Sequence, residues 1–214
     1  MTREKQMPTI EQSARALFDT HLVLSNLGIP FILDGGTLLG FYRDGCFAAD
    51  DNDDIDLTCK ADLWSRSQQI VDSMTRAGFD VYLERPRDTE RHWSAQLSFK
   101  RGDVKIDLMF KEWKKESDKV WWTVYGGPRG VTYKAVPREL LGITKQLFAV
   151  LPGITMELRL ETDLLGQTIF GIPERVEDYL AYRYGEWQTP VHRSEYSCYT
   201  TDRCIVKENT YEAI

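Results

Sequence analysis

Two short segments of this 214-residue chain alternate apolar and polar residues with a period of two, and each carries aspartate on its polar side. In Asp54-Ile55-Asp56-Leu57 the two apolar side chains share one face and the two carboxylates share the other. In VKIDLMF, residues 104–110, Val104, Ile106 and Leu108 alternate with Lys105, Asp107 and Met109. Extended strands produce this separation, because successive side chains point to opposite faces. Aspartate is a poor strand former, which makes the placement costly for structure alone. Asp54 and Asp56 repel each other when both are ionised, and a cation between them removes that penalty. Asp107, a lone acid in an apolar strand, also needs a partner: a shared metal, a hydrogen bond or a lysine.

Few, hard oxygen ligands suit magnesium or manganese, which complete their shells with water and substrate phosphates. The pattern therefore predicts a catalytic Mg2+ or Mn2+ held by Asp54, Asp56 and Asp107. A calcium loop of the EF-hand kind does not fit, because no register of the acidic run offers both the required glycine and the closing glutamate. Asp50 and Asp51, just ahead of the strand, read as a solvated acidic loop.

About 20 residues upstream, Gly35 and Gly36 interrupt a short apolar strand, Phe31 to Leu33, before a helical pattern from Thr37 to Arg43. Glycines allow close backbone approach, and a helix start offers free amides to phosphate oxygens. Gly35, Gly36 and Thr37 are thus candidate phosphate contacts. Arg43 is a further one, with a surface salt bridge as its alternative. Neither a Walker A loop nor a dinucleotide fingerprint is present.

Elsewhere the periodicity predicts a helix opened by a Thr9/Gln12 capping box and closed at Gly28, with His21 packed on its apolar stripe. A second strand, Ile55 to Cys59, leads to a helix capped by Asp62 and ended by Gly78. Strands follow at Phe79–Leu83, Trp93–Phe99, Val104–Phe110 and Val120–Tyr125, with Arg101-Gly102-Asp103 as a hairpin turn. A last helix runs from Pro173 to Tyr184 and stops at YGEWQTP. On this helix and its stop, Tyr182, Tyr184 and Trp187 are core aromatics or, alternatively, stack on a base or line an acceptor site.

A formal net charge of −6 argues against a nucleic-acid groove. No window is apolar enough for a spanning helix, so the expected setting is cytoplasmic, and membrane contact would be peripheral. Cys46, Cys59, Cys198 and Cys204 show no metal or disulfide spacing and are expected to be reduced thiols. The length suits one domain over residues 1–214.

The stretches DGGTLLGFYRDG, DNDDIDL and IPERVEDYLAYRYGEWQTP resemble the LicD family of the nucleotidyltransferase superfamily, which also includes fukutin and fukutin-related protein. The resemblance implies an α+β fold: a nucleotidyltransferase-like mixed β-sheet core flanked by helices, with a C-terminal helical elaboration. It also implies Asp54, Asp56 and Asp107 as the metal triad and Gly35, Gly36 and Thr37 as the phosphate turn. The implied reaction moves a phosphoryl-linked group, of the phosphocholine or polyol-phosphate type, from a CDP-activated donor such as CDP-choline to a glycan or lipid-linked saccharide, releasing CMP. Asp107 then serves as general base as well as ligand. Two features depart from the family pattern: Asp50-Asp51 stand where Pro-Trp is usual, and Asn52 where the acidic run usually begins. The alternatives are a small-molecule nucleotidyltransferase of the antibiotic-modifying type and a non-catalytic nucleotide- or metal-binding protein, the latter prompted by Asn52.

Overall fold

The computed structural model describes residues 7–48, 51–86, 95–113, 119–127, 130–137, 144–154, 168–190 and 205–206. Asp50, Trp93, Cys198 and Cys204 lie outside the described residues. Thr9 opens helix α1 (Ile10–Asn26) with the expected reciprocal cap: its hydroxyl accepts the Gln12 N–H at 3.2 Å, and Gln12 Oε1 accepts the Thr9 N–H at 2.8 Å. The helix buries Ala14, Leu17, Phe18 and Leu24 on one stripe. Strand β1 is only Ile32–Leu33, and α2 (Gly35–Asp44) begins directly after Asp34. Gly40, in the middle of α2, leaves room for the returning chain: a Cβ there would lie 2.6 Å from the Ala48 nitrogen and 2.7 Å from the Cys46 oxygen.

Strand β2 (Asp54–Lys60) runs into a 3₁₀ turn (Ala61–Arg66) and then α3 (Ser67–Arg76). Asp62, expected as a helix cap, lies inside the 3₁₀ turn instead. The cap position belongs to Arg66 with no side-chain cap bond, because the turn feeds the helix directly and the Ser67 N–H donates to the Trp64 carbonyl. Next come β3 (Asp80–Arg85), β4 (Ala95–Arg101), β5 (Val104–Trp113), β6 (Lys119–Gly127), β7 (Gly130–Pro137), β8 (Thr144–Ala149) and β9 (Thr168–Pro173). Helix α4 covers Val176–Tyr184, and β10 is Ile205–Val206.

The last helix therefore starts later than the sequence suggests. Pro173 is still paired in β9, opposite Thr144 of β8, so the chain stays extended at the residue expected to open the helix, and α4 begins only at Val176. The helix stops at Gly185 (φ 72°), as expected.

The sheet is mixed, in the order β10-β7-β6-β5-β2-β1-β9-β8, with β4 also paired to β5 and β3 to β4. β2 lies parallel to β5 and β1 parallel to β9, while the other pairs are antiparallel. The fold is α+β, a mixed sheet flanked by helices. Ile55, Leu57, Ile106, Leu108, Phe110, Leu97 and Phe99 are buried in the core cluster that also takes in α1 and α3 residues. Trp64 meets Phe110 edge-on at 5.2 Å between ring centroids. The strand positions alternating with these residues carry the polar side chains described below. Among the described residues no helix is long and apolar enough to cross a membrane.

His21 is packed, as its place on the α1 stripe predicts, with its ring 5.9 Å from that of Phe31 and 5.4 Å from that of Phe170. Burial lowers its pKa below the usual 6.5. The unfolded chain then binds more protons than the folded one just below that value, so this contribution to stability is present above it and lost as pH falls. The urea midpoint should therefore drop between pH 7 and pH 5 more steeply in the wild type than in His21→Phe; equal slopes would contradict the account.

Candidate active site

The parallel register of β2 and β5 sets Asp54 beside Lys105 and Asp56 beside Asp107. Four charged side chains thus form a rectangle on one sheet face, with Ser98 of β4 opposite Asp107. One oxygen from each of Asp54, Asp56 and Asp107 lies within 4.8 Å of the other two. The Lys105 ammonium sits between two of the acids, 3.0 Å from Asp107 Oδ2 and 3.1 Å from Asp54 Oδ1. Burial opposes that charge, but Asp107 and Asp54 outweigh it and raise the Lys105 pKa.

Among the described residues Asp56 has no ion pair of this kind. Burial first, then the charges of Asp54, Asp107 and Asp34, push its carboxyl well above the usual carboxylate range against the pull of Arg183. Asp107 Oδ1 is buried and accepts no hydrogen bond among the described residues. Three convergent carboxylates, one with an oxygen left over, fit a hard divalent cation.

The glycine turn is shaped around these acids. A Cβ on Gly35 (φ 57°) would fall 1.9 Å from Asp56 Oδ2, and one on Gly36 would fall 1.7 Å from Asp51 Oδ2. Both glycines thus make room for carboxylates. The Gly36 N–H donates to Asp56 Oδ2 at 3.3 Å, and the Thr37 hydroxyl accepts the Asp56 N–H at 2.9 Å. The start of α2 is thereby stitched to β2 at the residue whose charge is hardest to accommodate. A helix N-terminus stabilises negative charge there.

Behind the turn lies a buried ionic cluster centred on Asp34. Its Oδ1 accepts the Gly35 N–H at 2.8 Å, Arg183 Nη1 at 2.6 Å and the Tyr179 hydroxyl. Its Oδ2 accepts the Thr58 hydroxyl at 2.7 Å and the Lys111 ammonium. Burial alone would raise the Asp34 carboxyl; the Lys111 and Arg183 charges, with hydrogen bonds from Lys111 and Tyr179, overcome that and hold it far below the carboxylate range. Arg183 and Tyr179 come from α4, so this cluster ties the C-terminal helix to the turn. The Asp56 charge is also felt by Arg183.

Residues 28–139, just over half of the chain, match the family described as LicD/FKTN/FKRP, nucleotidyltransferase domain. The chain belongs to the LicD family. No curated protein matches it. Two solved structures of the antibiotic-resistance factor ANT(2'')-Ia are similar to parts of it. A solution structure covers 51% of this chain and 52% of its own, at 19% identity and a TM-score of 0.38. A crystal structure with adenylyl-2''-tobramycin covers 50% and 53%, at 20% identity and a TM-score of 0.36. The match thus spans about half the length of those proteins.

In this LicD family member, Asp54, Asp56, Asp107, Gly35, Gly36 and Thr37 come together at one place. Arg43 does not join them. It lies in the last turn of α2, eight residues or about 12 Å along the axis from Gly35. There it forms a two-pronged pair with Asp44, at 2.9 and 2.7 Å, and reaches the Trp187 carbonyl at 3.4 Å. Trp187 is buried, and Tyr182 and Tyr184 pack against the core cluster. Asp51 departs from the expected solvated loop: only 9% exposed, it is drawn in by the space that Gly36 leaves. Asn52 is buried too, with its side-chain amide donating to the Pro8 carbonyl at 2.7 Å and its backbone carbonyl accepting the Ser13 hydroxyl.

Sequence reasoning missed Asp34, Lys111, Tyr179 and Arg183. The signals were present. Lys111 continues the Lys105, Asp107, Met109 face of β5, and Val176, Tyr179, Leu180 and Arg183 follow helical spacing on one stripe of α4. Replacing Asp34 by Asn removes the buried carboxylate that pairs with both Lys111 and Arg183, and removing one partner of a buried pair costs about 3–5 kcal/mol. Urea unfolding should show a loss of that size for Asp34→Asn; a change under about 1 kcal/mol, the worth of an exposed pair, would contradict the cluster's role.

Proposed function

We propose that this chain is a metal-dependent transferase that moves a phosphoryl-linked group, of the phosphocholine or polyol-phosphate type, from a CDP-activated donor to a hydroxyl of a glycan or lipid-linked saccharide, with CMP leaving. The observation that carries the reading is the convergence of Asp54, Asp56 and Asp107 beside the glycine turn. Membership in a family of nucleotidyltransferase domains supplies the general chemistry. The CDP-linked donor and the saccharide acceptor extend that chemistry to the substrates expected of LicD relatives.

Asp54, Asp56 and Asp107 would hold the ion. Magnesium or manganese held by these residues would supply positive charge against the diphosphate oxygens of the donor. The protein's own groups set the stage for that. Lys105 orients Asp54 and Asp107, while the Gly36 N–H and Thr37 hydroxyl fix Asp56 by its carboxylate and its amide. The Asp34 cluster keeps the turn rigid against β2, where the Asp34 N–H also donates to the Asp56 carbonyl at 3.0 Å. Because its side chain is bound to the Pro8 carbonyl, Asn52 gives no support to a non-catalytic reading. Pairing of β1 with β9 places sequence beyond residue 139 in the same sheet as the family match, which supports one domain. An acceptor carried on a lipid would be met at the membrane surface.

With magnesium and a panel of CDP-linked donors, the protein should release CMP. With CTP and a small acceptor, pyrophosphate release would instead identify a nucleotidyltransferase of the antibiotic-modifying type. Asp54→Asn, Asp56→Asn and Asp107→Asn should each lower CMP release by at least about 100-fold while circular dichroism stays unchanged. Full activity in any one of them would remove that residue from the site.

A further inference from the structure

We infer that Lys105 is a built-in second cation, so that this centre takes one divalent ion rather than two, and that it acts as a positioning residue for Asp107. The inference rests on reading Asp54, Asp56 and Asp107 as metal ligands. Two-ion centres that move phosphoryl groups hold their ions about 3.5–4 Å apart and share carboxylates between them. Here the place between Asp54 and Asp107 is filled by a side chain. Lys105 Nζ lies 3.1 Å from Asp54 Oδ1, 3.2 Å from Asp54 Oδ2 and 3.0 Å from Asp107 Oδ2.

The ammonium hydrogen-bonds Asp54 Oδ2 and lies within ion-pair distance of Asp54 Oδ1 and Asp107 Oδ2. Asp56, on the far corner of the rectangle, does not share in it, and Asp107 keeps Oδ1 buried without a hydrogen bond among the described residues. The carboxylate of Asp107 is thus divided between two tasks. Oδ2 is held by Lys105, which leaves Oδ1 for a single ion shared with Asp54 and Asp56.

Strand geometry holds the lysine in place. Lys105 stands opposite Asp54 across the β2–β5 pair and two residues before Asp107 on the same face, so a rotation that freed it from one acid would still leave it beside the other. A second ion using Asp54 and Asp107 would have to expel the ammonium and would feel its repulsion at close range. Lys105 thereby supplies in one covalently tethered charge what a second ion supplies elsewhere.

The test counts Mn2+ bound to the full chain by the loss of the free-ion signal in electron paramagnetic resonance, with and without CDP. The wild type should bind one Mn2+ per chain in both conditions. Lys105→Met should bind two in the presence of CDP, and Lys105→Arg should return to one. Two ions in the wild type with CDP, or one in a folded Lys105→Met, would overturn the inference. The wild-type count decides the matter even if Lys105→Met fails to fold. No binding by the wild type would instead sink the metal centre and the proposed function with it.

Discussion

Parallel pairing of β2 with β5 forces three carboxylates onto one small area of sheet, and everything around that area responds to their repulsion. Shifting the register by one residue would turn Asp54 and Asp56 into the core and expose Ile55 and Leu57, so the buried face locks the charged face in place. Three kinds of relief are visible. Lys105 divides itself between Asp54 and Asp107, the Gly36 N–H at the start of α2 donates to Asp56, and Asp107 keeps one oxygen, without a hydrogen bond among the described residues, open to a cation. The two glycines follow from the same requirement, since any side chain at position 35 or 36 would occupy space already taken by a carboxylate.

A second buried charge, Asp34, connects this area to the rest of the chain. It begins α2, receives Lys111 from β5 and Arg183 from α4, and is followed at once by the glycine turn. Such a cluster contributes little net stability when set against an apolar equivalent, but it is expensive to break. Its value to the protein is geometric: it fixes the turn, the central strands and the C-terminal helix in one arrangement behind the triad.

The triad was legible because a period of two shows directly in the sequence, and acids interrupting it stand out. Helix α1 was legible for a similar reason: the Thr9/Gln12 box is local and complete within four residues. Asp34 was not, since what defines its role is a lysine and an arginine 77 and 149 positions away. Asp51 read as a solvated loop residue from its neighbours' charge, whereas a missing Cβ across the site decides its burial. Pro173 reads equally well as a helix start or a strand end, and only the pairing of β9 with β8 distinguishes them. Arg43 sits at helical spacing from the turn, yet the helix axis carries it away from the acids toward Asp44.

In this LicD family member three acids gather on the polar face of the sheet, beside a turn whose two glycines make room for carboxylates. The most direct test is anomalous diffraction at the manganese edge from crystals grown with Mn2+ and CDP. A single strong peak is expected, bounded by carboxylate oxygens of Asp54, Asp56 and Asp107, on the side of Asp107 away from Lys105. A peak elsewhere with none at this place would contradict it.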